Sequence, residues 1–314
     1  MFKRIIFILI LLPPVVIYAG GNQEASSGDQ KGGGAVSESI VLDGSFSLEV
    51  TDSAGKVISL DSPPVRVVSL GPNITETVYA LGKGHLLVGR SDWCNYPPEV
   101  ESISPVGDIQ SPSVETILSL GPDLILASSH APMEELDLLT NAGVASAVFY
   151  GPQEFTGAYE VLRGVAGLLG AQERGEEIIS EMSGKAGRVE EKVSGMVRKP
   201  SVYFVVGFGE GGDWTAGGGT FINEMITMAG GLNIAGDVDG WSYSLEKLIE
   251  KDPEIILINN GLGDIFSSAP FYSDLTAVKE GHVYEVDENV IVRQGPRLAE
   301  GLEILNNVFT SYVE

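Results

Sequence analysis

Two stretches far apart in the chain follow one template. The first runs Ser113-Val-Glu115-Thr-Ile-Leu-Ser-Leu-Gly-Pro122-Asp-Leu-Ile-Leu-Ala127 and the second Ser244-Leu-Glu246-Lys-Leu-Ile-Glu-Lys-Asp-Pro253-Glu-Ile-Ile-Leu-Ile258. In each, a serine stands two residues before a glutamate, a proline follows seven residues later, and a short apolar run comes next. A serine hydroxyl accepts a free backbone N–H at a helix start, and a first-turn glutamate is favoured by the helix dipole. The proline stops the helix, and the apolar run reads as a strand buried on both faces. A helix–stop–strand unit used twice implies two lobes built alike, with a clamp-like organisation.

With 314 residues the chain exceeds most single cores, and its 43% hydrophobic content supports more than one packed interior. The formal charge of −24 excludes nucleic acid as a partner, because phosphate would be repelled. It suits instead a protein that meets a basic patch on another molecule. Lys3 and Arg4 precede the apolar run Ile5 to Leu12, a Pro13-Pro14 break follows, and Ile17-Tyr18-Ala19 offers a cleavage site. That is the pattern of an export signal, and its apolar run falls short of the roughly 20 residues a spanning helix needs. The only cysteine, Cys94, permits no internal disulfide, and no cysteine near the cleavage site is available to carry a lipid. These features together predict a protein of the periplasm.

Expected boundaries follow from composition and periodicity. Residues 1–19 are the signal peptide, and 20–44 a glycine- and serine-rich tether. Residues 45–153 form a first α/β lobe that opens on a hairpin turning at Ala54-Gly55. Residues 154–199 are helical, with Ala158, Leu162, Val165 and Leu169 on one face, a break at Gly170, and then Ile178, Met182, Val189, Val193 and Met196. Residues 200–314 make a second α/β lobe. The predicted fold class is α/β: two similar lobes with mostly parallel central sheets, joined by a long backbone helix that acts as a stiff rod. Ligand would collect in the cleft between lobes, beyond the strand C-termini.

Gly207-Phe-Gly209-Glu-Gly-Gly212 matches a dinucleotide fingerprint in letters only. A pyrophosphate site needs a helix to begin at once, and Asp213 to Gly219 delays it. No nucleophile–base pair is evident, so no catalytic residue is assigned and an α/β hydrolase or oxidoreductase is the weaker alternative. Of the three histidines, His130 follows a predicted strand and could reach a cleft, whereas His85 and His282 lie in glycine-flanked turns. Trp93, Trp214 and Trp241 all fall in predicted loops, beside Tyr96 and Tyr243. Aromatics outside the periodic segments, gathered at a cleft mouth, suit a large planar or ring-shaped ligand.

The run Arg66-Val-Val-Ser-Leu-Gly-Pro-Asn-Ile-Thr-Glu76, then Val88-Gly-Arg-Ser-Asp-Trp-Cys-Asn-Tyr-Pro-Pro-Glu99, Val106-Gly-Asp108 and Leu120-Gly-Pro-Asp-Leu-Ile-Leu126 is similar to the periplasmic solute-binding proteins of vitamin B12 and iron-complex ABC importers. The resemblance spans about Thr51 to the C-terminus. It implies a monomer that captures a corrinoid, a ferric siderophore or haem and delivers it to a permease dimer with its ATPase, using no cofactor. It also implies that Glu115 and Glu246 meet arginines of the permease. Trp93 matches an aromatic of the B12 binders, and Trp214 and Trp241 resemble their second-lobe cleft aromatics. Ile109-Gln110 replaces their first-lobe tryptophan, and Arg293 resembles a basic cleft residue that would meet an anionic ligand group. A metal-ion receptor of similar architecture is the other alternative; it would draw His and carboxylate ligands from both lobes.

Overall fold

The computed structural model describes residues 47–314; the expected signal peptide and tether lie outside the described residues. The first lobe contains β1 (Leu48–Thr51), β2 (Val57–Leu60), β3 (Val67–Leu70), α1 (Pro72–Ala80), β4 (Leu87–Arg90), β5 (Ser104–Pro105), α2 (Val114–Ser119), β6 (Leu124–Ala127), α3 (Met133–Asn141) and β7 (Ala145–Val148). Two helices follow, α4 (Gly157–Leu168) and α5 (Gln172–Ser194). The second lobe contains β8 (Ser201–Phe204), β9 (Asp213–Trp214), α6 (Phe221–Met228), β10 (Leu232–Asn233), β11 (Ser242–Tyr243), α7 (Leu245–Lys251) and β12 (Ile255–Asn259). It closes with α8 (Gly263–Ser268), α9 (Thr276–Lys279), β13 (Val283–Val286) and α10 (Leu298–Val313).

β1 and β2 form the antiparallel hairpin, turned by Gly55 at φ 82°. The first main sheet has the parallel order β5-β4-β3-β6-β7 and the second β10-β8-β12-β13. The strands of the sequence repeat, β6 and β12, hold matching places. Each lies beside the first strand of its sheet, β3 or β8, and one in from an edge.

Side chains alternate across each sheet, as the period of two requires. Val67, Leu124 and Leu126 face one way, and Val68, Ile125 and Ala127 the other. In the second sheet Val202, Phe204, Ile255 and Leu257 oppose Tyr203, Val205, Ile256 and Ile258. The two inner faces are not separated by the connecting helices. They join Leu162 and Val165 of α4, Ile178 and Met182 of α5, and Leu305 and Phe309 of α10 in one contiguous hydrophobic cluster. The expected rod is therefore part of a shared core, because apolar faces opposed across a narrow gap are covered most completely by an apolar helix between them.

The connecting segment is a helix pair that parts at Gly170, where the sequence places the break and where the backbone takes φ 60°. Gly71-Pro72-Asn73 reads as a turn in sequence but starts α1, since proline fits the first helical turn, where its missing N–H has no partner to lose. Among the described residues no helix is long and apolar enough to cross a membrane.

A shared inner core should unfold as one unit. Urea titrations followed by far-UV circular dichroism and by tryptophan emission are expected to coincide in a single transition. Replacing the fully buried Leu162 by alanine should lower the unfolding free energy by about 3 kcal/mol. Two separated transitions would contradict the shared core.

Candidate functional site

In both lobes the loops that follow the strand C-termini carry the chemistry. β4 passes into a tight turn in which Cys94 N–H donates to Ser91 O at 3.1 Å and Ser91 N–H donates to Ser69 O at 3.0 Å. Cys94 is buried, with the Thr75 hydroxyl 3.0 Å from its sulfur, so the turn is anchored inward at Cys94. Trp93 beside it is half exposed, at 50%. Its indole N–H donates to Asp108 Oδ2 at 2.7 Å, and Asp108 Oδ1 accepts the Gln110 N–H at 2.8 Å. The indole edge is thereby tied to the 107–112 loop, leaving ring area open to solvent.

Trp214 reaches the opposite side on a different support. It lies in β9, which pairs with β11, and its N–H donates to Gly207 O at 2.9 Å. A Cβ at Gly207 would stand 3.2 Å from the indole Cδ1, so the glycine lets the ring lie close over the loop. Beneath it the Tyr272 hydroxyl donates to Asp213 Oδ1 at 2.7 Å and accepts the Gly209 N–H at 3.0 Å. Burial raises the Asp213 carboxyl above its usual range, and burial together with the Asp213 hydrogen bond raises the Tyr272 hydroxyl. The Gly207–Gly212 segment is thus pinned by a buried acid–phenol pair.

The other aromatic expectations fare differently. Trp241 is partly buried against the shared core. Tyr243 does not face a cleft: it is 6% exposed, its hydroxyl donates to Ile234 O at 3.2 Å, and its ring lies 5.6 Å from Tyr203. The two-residue β11 turns Tyr243 inward while its neighbour Ser242 points out, an alternation that a loop reading does not anticipate. Tyr96 is 42% exposed, but the Arg297 guanidinium covers one face of its ring, 3.8 Å from the centroid. His130 is exposed on the loop after β6.

Between the lobes lies a buried ion cluster. Glu76, on α1, has a side chain only 2% exposed. Arg297 grips it bidentately, Nε to Oε2 at 2.8 Å and Nη2 to Oε1 at 2.7 Å. Arg293 Nη1 donates to Glu76 Oε1 at 2.8 Å and to Asn95 Oδ1 at 2.9 Å. Arg293, expected to meet ligand, is thus held across the seam by first-lobe acceptors. The desolvation of Arg297 opposes its charge, yet the hydrogen bonds and charge of Glu76 raise its pKa above the usual guanidinium value. Burial, then the charge of Asp287, raises the nearby Glu288 carboxyl. Asn73 Nδ2 donates to Gln294 O at 3.2 Å, and Gln294 Nε2 donates to Pro152 O at 2.7 Å and Glu154 O at 3.0 Å. Glycine at 157 is required here, since a Cβ would come within 2.3 Å of the backbone oxygen of Pro152. On α1, α5 and the start of α10 the seam opens into a groove of about 510 Å³ lined by Tyr79, Tyr96, Ile178, Met182 and Arg297.

The repeated helices behave as their sequence implies. Ser113 and Ser244 hydroxyls accept the Thr116 and Lys247 N–H groups, each at 3.2 Å. Glu115 and Glu246 are both exposed in the first turns. The Glu246 carboxyl is held below its usual range by its own backbone N–H and by the Ser244 hydroxyl.

The model of the family described as periplasmic binding protein matches residues 67–290. The chain belongs to the periplasmic binding protein family. Similar chains include the uncharacterized ABC transporter substrate-binding lipoprotein YvrC of Bacillus subtilis, 30% identical over 266 residues that make up 83% of this chain and 84% of that one. A cobalamin-binding protein of Halobacterium salinarum is 28% identical over 279 residues, 84% of this chain and 74% of that one. Among solved structures, the apo form of the periplasmic heme-binding protein RhuT from Roseiflexus sp. RS-1 matches with a TM-score of 0.74 and 29% identity, covering 79% of this chain and 99% of that one.

For this periplasmic binding protein the sequence reading passed over Glu76 and Arg297 as functional positions. No periodic signal marked Glu76: Ile74, Val78 and Leu81 define the apolar face of α1, Glu76 falls off that face between two threonines, and it is tertiary packing that buries every residue from Ile74 to Val78. Arg293 and Arg297 converge on it from the irregular segment that precedes α10, which bends at Gly295-Pro296. Glu76→Ala would strip both guanidinium groups of their main partner at the seam, leaving Arg293 its bond to Asn95 and Arg297 a 3.9 Å contact with Asp287. It should cost about 3 kcal/mol of stability, read from the urea midpoint at constant slope.

Proposed function

We propose that this protein is the substrate-binding component of an ABC importer, working in the periplasm, and that it captures a corrinoid. The observation that carries this reading is the pair of indoles Trp93 and Trp214, set by independent supports on strand-end loops of the two lobes. A flat ring system held between two such groups buries a large area on each face while needing little side-chain ordering. Trp241, just before β11, and Tyr96, at the seam, would complete the wall. The names of similar proteins, one cobalamin-binding and another heme-binding, support a tetrapyrrole-like ligand.

Charge favours the corrinoid over haem. The two seam arginines are engaged by Glu76, the chain carries −24 overall, and haem would bring two propionates needing cations. The amide-rich rim of a corrinoid makes no such demand. Haem is the second reading because His130, exposed after β6, could serve as an axial ligand. Delivery would use Glu115 and Glu246, one on each lobe, against arginines of the permease dimer. The role is capture and hand-over, without catalysis.

Titration of the purified protein with cyanocobalamin, haemin and a ferric siderophore set, followed by tryptophan quenching, tests the assignment. Cyanocobalamin is expected to quench, with Trp93→Ala and Trp214→Ala each weakening binding by about tenfold or more. His130→Ala should leave cyanocobalamin binding unchanged. A haem Soret shift that this substitution abolishes would favour the second reading, and quenching by none of the compounds would refute both.

A further inference from the structure

Trp214 rests on a loop that is itself hung from a single phenol. A Cβ at Gly207 would meet the indole Cδ1 at 3.2 Å, and one at Gly212 would meet its Nε1 at 3.9 Å. The nitrogen-bearing edge of the ring therefore lies along both ends of the Gly207–Gly212 loop. The loop turns at Gly209 and Gly212, whose φ angles are 102° and 98°. Gly212 N–H donates to Gly209 O at 2.9 Å, and Gly209 N–H donates to the Tyr272 hydroxyl. The same hydroxyl donates to Asp213, which points inward beside Trp214 in β9. One side chain, from between α8 and α9, thus fixes both the loop under the indole and the residue next to it.

Two observations set this arrangement apart from ordinary packing. Phe271, just before Tyr272, holds φ 73° although it is not glycine, and it is 62% exposed. Such a conformation is costly and persists only where surrounding contacts impose it. The Phe271 side chain gains no burial from it. What the turn achieves is the insertion of the Tyr272 ring against Phe208 and Phe266, at centroid distances of 5.6 and 4.7 Å. Asp213, in turn, is 4% exposed, and a buried carboxylate matched to a phenol stabilises a fold poorly. A strained backbone and a poorly compensated carboxylate meet at one hydroxyl.

We infer that Tyr272 and Asp213 are positioning residues of the ligand site, which set its affinity by holding the Gly207–Gly212 loop and the Trp214 indole in the binding geometry. This rests on the receptor reading and deepens it: the second-lobe part of the wall is formed before ligand arrives. Without the hydroxyl, a loop containing four glycines would become ordered only on binding, and the entropy of that ordering would be subtracted from the affinity.

The test compares variants of the full protein that change the hydrogen bonds and little else. Tyr272→Phe keeps the packed ring. Asp213→Asn keeps the Oδ1 acceptor, whereas Asp213→Ala removes it. Binding of cyanocobalamin, or of haemin or a ferric siderophore where the wild type takes that compound, is measured by titration calorimetry, with circular dichroism as the check on folding. Tyr272→Phe and Asp213→Ala should each weaken binding about tenfold, and Asp213→Asn should stay within about twofold of wild type. In ligand-free protein carrying Trp93→Phe and Trp241→Phe, acrylamide quenching of the remaining indole should rise when Tyr272→Phe is added. A merely structural role predicts a lower urea midpoint with affinity and quenching unchanged, and that result would overturn this inference alone. A loss in Asp213→Asn as large as in Asp213→Ala would also overturn it, since the acceptor would then not be what matters. Wild-type protein that binds none of the compounds would overturn the receptor reading and with it the role in affinity, whatever the quenching shows.

Discussion

Glu76 is the point at which the two lobes become one body. A carboxylate with a 2% exposed side chain is costly to desolvate, and the two guanidinium groups that offset this cost both come from the opposite lobe. Separating the lobes would leave a buried charge on one side and two on the other. It would also expose the inner faces of both sheets, which α4, α5 and α10 merge into one hydrophobic cluster. The electrostatic and apolar terms act on the same seam and in the same sense. A ligand entering such a molecule meets a largely formed site.

That constraint redistributes roles among the cleft residues. Arg293 would be the natural anchor for an anionic ligand, but Glu76 and Asn95 take it up in holding the lobes. Arg297 likewise sits between Glu76 and the Tyr96 ring. The proposed recognition surface is mostly aromatic, and the two lobes support it by different means. Trp93 is fixed through its own N–H by a carboxylate, whereas Trp214 is fixed through its backbone in a short ribbon above a buried acid–phenol pair. Matching lobes therefore hold their two indoles by non-matching supports, while the helices of the repeated unit remain alike.

Much of this could be read along the chain because its causes are local. The serine caps, first-turn glutamates and proline stops of α2 and α7 act within one or two turns, and the structure reproduces them residue for residue. The hairpin at Gly55 and the break at Gly170 follow from the one residue that takes positive φ without strain. Misreadings arose where the cause was distant. Tyr243 looked like a loop aromatic because β11 is two residues long, and its inward direction comes from pairing with β9, some thirty positions away.

The order of elements, the paired helix–strand units and the parallel sheets were settled by side-chain periodicity and turn chemistry, which a linear reading can count. Packing alone decided that the connecting helices join a common core, that Arg293 and Arg297 converge on Glu76, and which aromatics remain open to solvent. Burial and charge pairing depend on groups more than two hundred positions apart in the chain being brought within three ångströms, as Arg293 is with Glu76, and such a distance has no local signature.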